Sequence, residues 1–147
     1  MGLFSTINIS GTGLTAERLR MDVIANNIAN AETTRTPDGG PYQRQRVIFT
    51  PRKEKFIYDM PFVTGSHSET PGRGVRVKDI ENDSAPGPLK YEPTHPDADD
   101  KGYVHMPNVN IITEMVDMIS AQRAYEANVT VVKSAKTMFM KALDISR

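Results

Sequence analysis

The residues best suited to chemistry form a short acidic turn in the second half of the chain. Asp97, Asp99 and Asp100 stand just before a glycine, and carboxylates at alternate positions followed by glycine are typical of a calcium-binding loop. The fifth position of such a loop is Lys101 here, and the twelfth is Asn108, where a bidentate glutamate is required. We therefore expect a solvated acidic turn and no metal site.

The other candidates for catalysis are isolated. His95 stands beside the aspartates, but His67 and His105 lie in other loops without ligand spacing. The segment 11–13 reads Gly-Thr-Gly, which lacks the third glycine and the preceding strand of a dinucleotide site. The sequence contains no cysteine and no nucleophile-elbow, zincin or P-loop motif. We expect no enzyme activity, no cofactor and no small-molecule substrate.

Charge and hydropathy exclude further classes of protein. The chain has 18 basic and 18 acidic residues among 147, so no net field favours nucleic acid. No apolar stretch approaches the length of a membrane span, and the first residues do not resemble a Sec signal peptide. We expect a protein that does not span the membrane and is exported, if at all, without a cleaved signal.

We expect helices at both ends of the chain, which are free of helix-breaking proline because all ten prolines fall between Pro37 and Pro107. The N-terminal segment, about 2–33, has an apolar residue at every seventh position from residue 7, and Ile24 belongs to a second row interleaved with the first. We expect firm helix from about residue 14 to residue 30, because two glycines weaken the preceding turns. The residues expected to pair with another helix are Ile7, Leu14, Met21, Ile24 and Ile28.

The C-terminal segment, about 108–145, predicts a longer helix that Asn110 or Thr113 could cap. Its pairing rows are Ile111, Met118, Tyr125, Val132 and Phe139, with Met115, Val129 and Leu143 as companions. A second row comprises Ile112, Val116, Ile119, Val131, Ala135, Met138 and Ala142. Two rows need two partners, and the N-terminal helix can cover only one. The second row is expected to contact another molecule.

Asn26, Asn27 and Asn30 are unusual in a helix. They either lie on an exposed, fraying end or form hydrogen bonds across a helix interface that fix its register, and the residues alone do not choose.

Residues 34–107 form a Pro/Gly-rich insert with turn clusters and strand-like runs at 45–50, 55–58, 74–80 and 102–106. The predicted fold is mainly α with a small irregular β insert and long extended loops. Residues 1–33 and 108–147 would form one discontinuous domain, a coiled-coil hairpin, and 34–107 a second. Such a layout suits a polymer subunit, or a soluble helical adaptor that binds a single partner helix.

Several segments resemble the bacterial flagellar axial proteins, the family of rod, hook and hook-associated subunits. The shared N-terminal signature is SGTGL at 10–14 followed by NNIANAET at 26–33. Segments similar to the short proximal-rod members are GPYQRQRV at 40–47, HPDA at 95–98, GYV at 102–104, PNVN at 107–110, EMVDMI at 114–119 and RAYEAN at 123–128. The resemblance runs along essentially the whole chain.

The resemblance implies a structural subunit of the flagellar proximal rod, a tube that crosses the periplasm. Its partners would be itself, other proximal and distal rod subunits, and the flagellar type III export apparatus. The terminal helices of such subunits would pack as an inner coiled coil.

Overall fold

The computed structural model describes residues 3–37, 39–52 and 72–145, whose elements run in the order helix, four strands, helix. The helices are α1 (Leu3–Ala29) and α2 (Ile111–Ile145). The strands are β1 (Gln45–Pro51), β2 (Val75–Asn82), β3 (Leu89–Tyr91) and β4 (Tyr103–His105). The prediction of helices at both ends of a small β insert is confirmed. The strand expected at 55–58 lies outside the described residues.

Local contacts explain where the two helices begin. α1 begins at Leu3 instead of near residue 14 and continues through both glycines. Contact with α2 supports these early turns, since the rings of Phe4 and Phe139 pack edge to face with centroids 6.1 Å apart. Asn110 caps α2, because its Oδ1 accepts hydrogen bonds from the backbone N–H groups of Ile112 and Thr113 at 3.0 and 3.3 Å.

The two helices lie side by side and run antiparallel, as residues early in α1 meet residues late in α2. The contacts that define this register are Phe4 with Phe139, Gly13 with Asn128, Arg20 with Asp117, and Asn27 with Glu114. Each step toward the C-terminus of α1 is matched by a step toward the N-terminus of α2. The last turn of α1 therefore meets the first turn of α2, where the insert leaves and rejoins the helices.

The insert contains two antiparallel pairs of strands. β1 pairs with β2 from Gln45 opposite Asn82 to Pro51 opposite Val75, with an irregularity after Ile48, and both strands contact α1. β3 pairs with β4, where the rings of Tyr91 and Tyr103 lie 5.3 Å apart. β3 was not predicted, because a strand of three residues gives too short a pattern.

The buried residues of the described chain are few and mostly small. The buried apolar residues are Ala16, Val23, Ile24, Ala31, Val104, Ala121 and Ala135. Four polar residues are equally buried, namely Ser10, Thr12, Asn27 and Glu114. Buried polar groups need hydrogen-bond partners, so these four indicate where the fold is most specific. Neither described helix has the length and apolarity required to span a lipid bilayer.

Candidate functional site

The most buried charged group among the described residues is Glu114, in the first turn of α2, with a side chain only 1% exposed. Arg44, in the segment before β1, donates from Nε and Nη2 to its Oε1 at 2.6 and 2.5 Å. Asn27 of α1 donates from Nδ2 to Oε2 at 2.9 Å. The buried carboxylate thus has a cationic partner and a donor for each oxygen, which offsets the cost of removing it from water.

Asn27 satisfies every hydrogen-bonding group of its side-chain amide. Its Nδ2 donates to the carbonyl oxygen of Gln45 and to Glu114, and its Oδ1 accepts from the Gln45 N–H and the Tyr42 hydroxyl, all at 2.9 Å. An asparagine amide has two donor hydrogens and one oxygen that can accept twice, so all four hydrogen-bonding positions of this side chain are used. Helix α1, helix α2 and the insert therefore meet at one side chain.

The neighbouring asparagines behave differently. Asn26 is exposed, and its Nδ2 makes only long contacts of 3.4 and 3.5 Å to Tyr42 and Gln45. Asn30 donates to the backbone oxygen and the Oδ1 of Asn26, both at 2.9 Å, and so closes the end of α1. Of the two alternatives for these asparagines, hydrogen bonding across the helices applies to Asn27, and the exposed helix end applies to Asn26.

Arg44 also ties the insert to the start of α2. Its N–H donates to Asn108 Oδ1 at 2.8 Å, and Asn108 Nδ2 donates to the carbonyl oxygen of Asp83 at 2.9 Å. The Asp83 N–H in turn donates to the Arg44 carbonyl oxygen at 2.7 Å. The Arg44 guanidinium reaches Asp117 at 3.4 Å. We call Asn27, Tyr42, Arg44 and Glu114 the polar junction.

Tyr42 completes the polar junction with a hydroxyl whose titration is perturbed. Burial raises the pKa of this phenol above its ordinary value of 10.0, and the nearby Glu114 carboxylate raises the pKa further. Both effects disfavour a tyrosinate. The hydroxyl therefore remains a donor to Asn27 throughout the physiological pH range.

The structure distributes the predicted pairing residues over three degrees of burial. On α1, Ile24 and Asn27 are buried, whereas Ile7, Leu14, Met21, Ile28 and Asn30 are half-buried. On α2, Met118, Tyr125, Val129 and Val132 are half-buried, whereas Ile111, Met115, Phe139 and Leu143 are exposed. These last four side chains are exposed in the single chain, so they can still contact a neighbouring subunit.

Sequence reasoning missed Glu114 and Ala121 as contact residues of α2. With Ala135 they are the buried residues of this helix, and they follow at spacings of seven and fourteen. They lie three residues after the row that begins at Ile111, whereas the expected companions lie four residues after it. A repeat of alanines was the available signal, since small side chains allow two helices to approach closely.

The second row of α2 is largely unpartnered in the single chain. Ile112, Val116 and Ile119 are 75%, 62% and 52% exposed, and Met115 beside them is 53% exposed. Their spacing places them on one side of a helix, and we call these four residues the exposed face. Farther along, Val131, Met138 and Ala142 are also exposed, but Ala135 is 1% exposed and needs no second molecule to cover it.

The acidic turn is held by protein groups. Thr34 donates to Asp97 Oδ2 at 2.9 Å, and Arg35 lies 3.8 Å from the other oxygen. His95 Nδ1 accepts from the Asp97 N–H at 3.1 Å. Among the described residues, no group of three His, Asp or Glu side chains could hold a metal ion. This turn ties residues beyond α1 to those before β4.

Comparison with known proteins gives matches at both ends and along the full length. Residues 7–35 match the family model described as flagella basal body rod protein, and residues 100–145 match that described as flagellar basal body rod FlgEFG protein C-terminal. Several relatives carry the name flagellar basal-body rod protein FlgC, and three of them illustrate the similarity. The relative from Borreliella burgdorferi is 60% identical over 99% of this chain and 98% of its own. Those from Bacillus subtilis and Salmonella typhimurium are 42% and 37% identical, with complete coverage of both chains. The chain therefore belongs to the FlgC family of flagellar basal-body rod proteins.

Proposed function

We propose that the exposed face of α2 is the surface through which this rod subunit contacts neighbouring subunits. Membership of the FlgC family makes the chain a structural subunit of the flagellar basal-body rod. The observation that carries the proposal is the row of Ile112, Met115, Val116 and Ile119, each more than half exposed. Apolar side chains clustered in this way mark an interaction surface, because leaving them in water is unfavourable.

The helical layer and the insert would form two separate structural units. We propose that residues 1–33 and 108–147 form a coiled-coil unit in the wall of the tube and that 34–107 form a second unit attached to it. The antiparallel contact of α1 with α2 and the repeat of buried Glu114, Ala121 and Ala135 support this division. The absence of enzyme activity and of a bound cofactor stays a prediction.

Neighbours would be further copies of this chain and other proximal and distal rod proteins. A tube grows only if one surface of a subunit meets a different surface of the next, so the exposed face should meet an unlike surface. We place the assembled protein in the basal body, in the part of the rod that crosses the periplasm. We also propose export through the flagellar type III apparatus without cleavage. Cleavage would remove α1, and the folded subunit requires the contacts that this helix makes with α2 and the insert.

The test is to place a charge on the exposed face. Ile119→Asp should leave the single chain folded, because Ile119 is half exposed, and should block incorporation into the rod, because an unpaired charge is costly in a dry interface. Ser120→Asp is the matched control, since Ser120 is exposed on the same helix turn but is itself polar and lies at the edge of the exposed face. Motility and the amount of the protein in purified basal bodies are the readouts, with circular dichroism to confirm folding.

We expect Ile119→Asp cells to be non-motile with little rod-associated protein, and Ser120→Asp cells to resemble the wild type. Normal rods containing Ile119→Asp would exclude this surface as a subunit interface. A stable complex of the wild-type chain with one helical partner and no rod incorporation would favour the adaptor function.

A further inference from the structure

The hairpin of β1 and β2 is attached to α1 at both of its ends by polar side chains of that helix. At one end, the buried Thr12 hydroxyl donates to the carbonyl oxygen of Ile9 at 2.7 Å and accepts from the N–H of Val75 at 3.1 Å. At the other end, the Asn27 amide pairs with both backbone groups of Gln45 at 2.9 Å. Both side chains bind backbone groups of the strands, so the attachment does not depend on the strands' side chains.

The spacing of the two attachments matches the length of the strand between them. Along a helix that rises about 1.5 Å per residue, Thr12 and Asn27 lie about 22 Å apart. Along a strand that rises about 3.3 Å per residue, Gln45 and Pro51 lie about 20 Å apart, and Pro51 is paired with Val75. The hairpin therefore lies along α1, with one attachment at each end.

The backbone at Gly74 fits the Thr12 attachment closely. Its φ of +97° favours glycine, and a Cβ added there would collide with the Thr12 hydroxyl. The residue just before β2 thus has to be glycine for the hairpin to approach α1.

We propose that Thr12 and Asn27 form a two-point clamp that fixes the β1–β2 hairpin along α1 within each subunit. The polar residues in segments 10–14 and 26–30 would then position the insert on the helical layer. Contact between subunits is the competing role, but Thr12 and Asn27 are only 8% and 1% exposed in the single chain, which leaves almost no surface for a neighbour. Asn27 also donates to Glu114, so the same side chain links the hairpin to α2 as well as to α1.

The first test removes the Thr12 acceptor. Thr12→Val leaves the Val75 N–H without its partner, whereas Thr12→Ser retains a hydroxyl. Thr15→Val is the matched control, because Thr15 is exposed on the same helix and its hydroxyl donates only to the Gly11 carbonyl oxygen. The measurement is amide hydrogen exchange of the hairpin in the purified full-length protein, with the amides of α2 as internal reference.

We expect Thr12→Val to accelerate exchange at Val75 and across the hairpin at least tenfold, with no change in α2. Thr12→Ser and Thr15→Val should stay within about twofold of the wild type; tenfold corresponds to about 1.4 kcal/mol of local opening. Equal effects of Thr12→Val and Thr15→Val would overturn the clamp. So would an unprotected hairpin in the unsubstituted protein.

The second test addresses the other end of the clamp. Asn27→Ala should accelerate exchange at Gln45. Asn26→Ala should not, because Asn26 is exposed and its contact with Gln45 is a long one of 3.5 Å to the side chain. If Asn27→Ala prevents folding, the Thr12 series alone decides, and Gly74→Ala should reproduce its effect from the strand side. Protection that survives both Thr12→Val and Gly74→Ala would show that the hairpin is held by other contacts.

Discussion

At the scale of single residues, the polar junction shows how a buried charge can specify a structure. Removing the Glu114 carboxylate from water costs several kcal/mol, and the contacts with Arg44 and Asn27 offset this cost. An apolar residue at this position would tolerate several alignments of α1 against α2. Glu114 has its partners where α1, α2 and the insert meet, and we infer that the junction helps to select this register.

The first prediction concerns the loss of this carboxylate. Glu114→Ala should lower the free energy of unfolding by about 3 kcal/mol, because the buried donors of Arg44 and Asn27 lose their acceptor. Asp117→Ala is the control, since Asp117 is 37% exposed at its side chain and lies 3.4 Å from Arg44. That substitution should cost less than about 1 kcal/mol. Urea denaturation measures both, and equal losses would contradict a special role for Glu114.

The second prediction concerns Tyr42, whose pKa is raised in the folded state by burial and by Glu114. The stability that follows from this shift is fully present below the ordinary pKa of 10.0 and is lost as pH rises toward the folded value, because the unfolded phenol ionises first. Tyr42→Phe should lower stability at neutral pH by removing the hydrogen bond to Asn27. Its stability should then fall less steeply above about pH 10 than that of the wild type. Urea titrations on both sides of this pH would show the difference, and parallel declines would refute it.

At the scale of elements, the sequence predicted both helices, Asn110 as one of two candidate caps, and three of the four described strands. These follow from local signals: proline placement, a seven-residue repeat and alternation. The side of α2 that contacts α1 was harder to predict, because the companion row can lie three or four residues after the first. Apolarity favoured Met115, whereas the structure buries Glu114. The cationic partner of Glu114 comes from the insert, and no local pattern reveals where Arg44 lies in space.

The third prediction compares two glycines in α1. A Cβ at Gly11 would meet nothing within 4 Å, so Gly11→Ala should stabilise the protein by up to about 1 kcal/mol through helix propensity. A Cβ at Gly13 would lie 3.0 Å from Nδ2 of Asn128, which is itself held by a 2.9 Å hydrogen bond to the Ala124 carbonyl oxygen. Gly13→Ala should therefore gain little or lose stability. Thermal unfolding should rank Gly11→Ala above Gly13→Ala, and equal midpoints would mean that the helices are not closely packed at Gly13.

At the scale of the whole molecule, one side of α2 packs against the rest of the chain and the other side does not. The packed side contacts α1 and includes Glu114, Ala121 and Ala135, which are almost completely buried. The opposite side presents large apolar residues to water along much of the helix. A subunit built in this way reaches its most favourable state only when neighbours cover that side.

The last prediction uses methionines to report which side of α2 is covered in the rod. Met115 and Met138 are 53% and 58% exposed in the single chain, whereas Met118 and Met21 are half-buried. Oxidation of a methionine by peroxide follows its exposure, so Met115 and Met138 should oxidise several-fold faster than Met118 and Met21 in the monomer. In purified basal bodies, Met115 and Met138 should become protected to the level of the other two. Mass spectrometry of peptides after brief peroxide treatment gives each rate. If Met115 and Met138 remain as reactive in rods as in the monomer, neighbouring subunits do not pack on this side of α2.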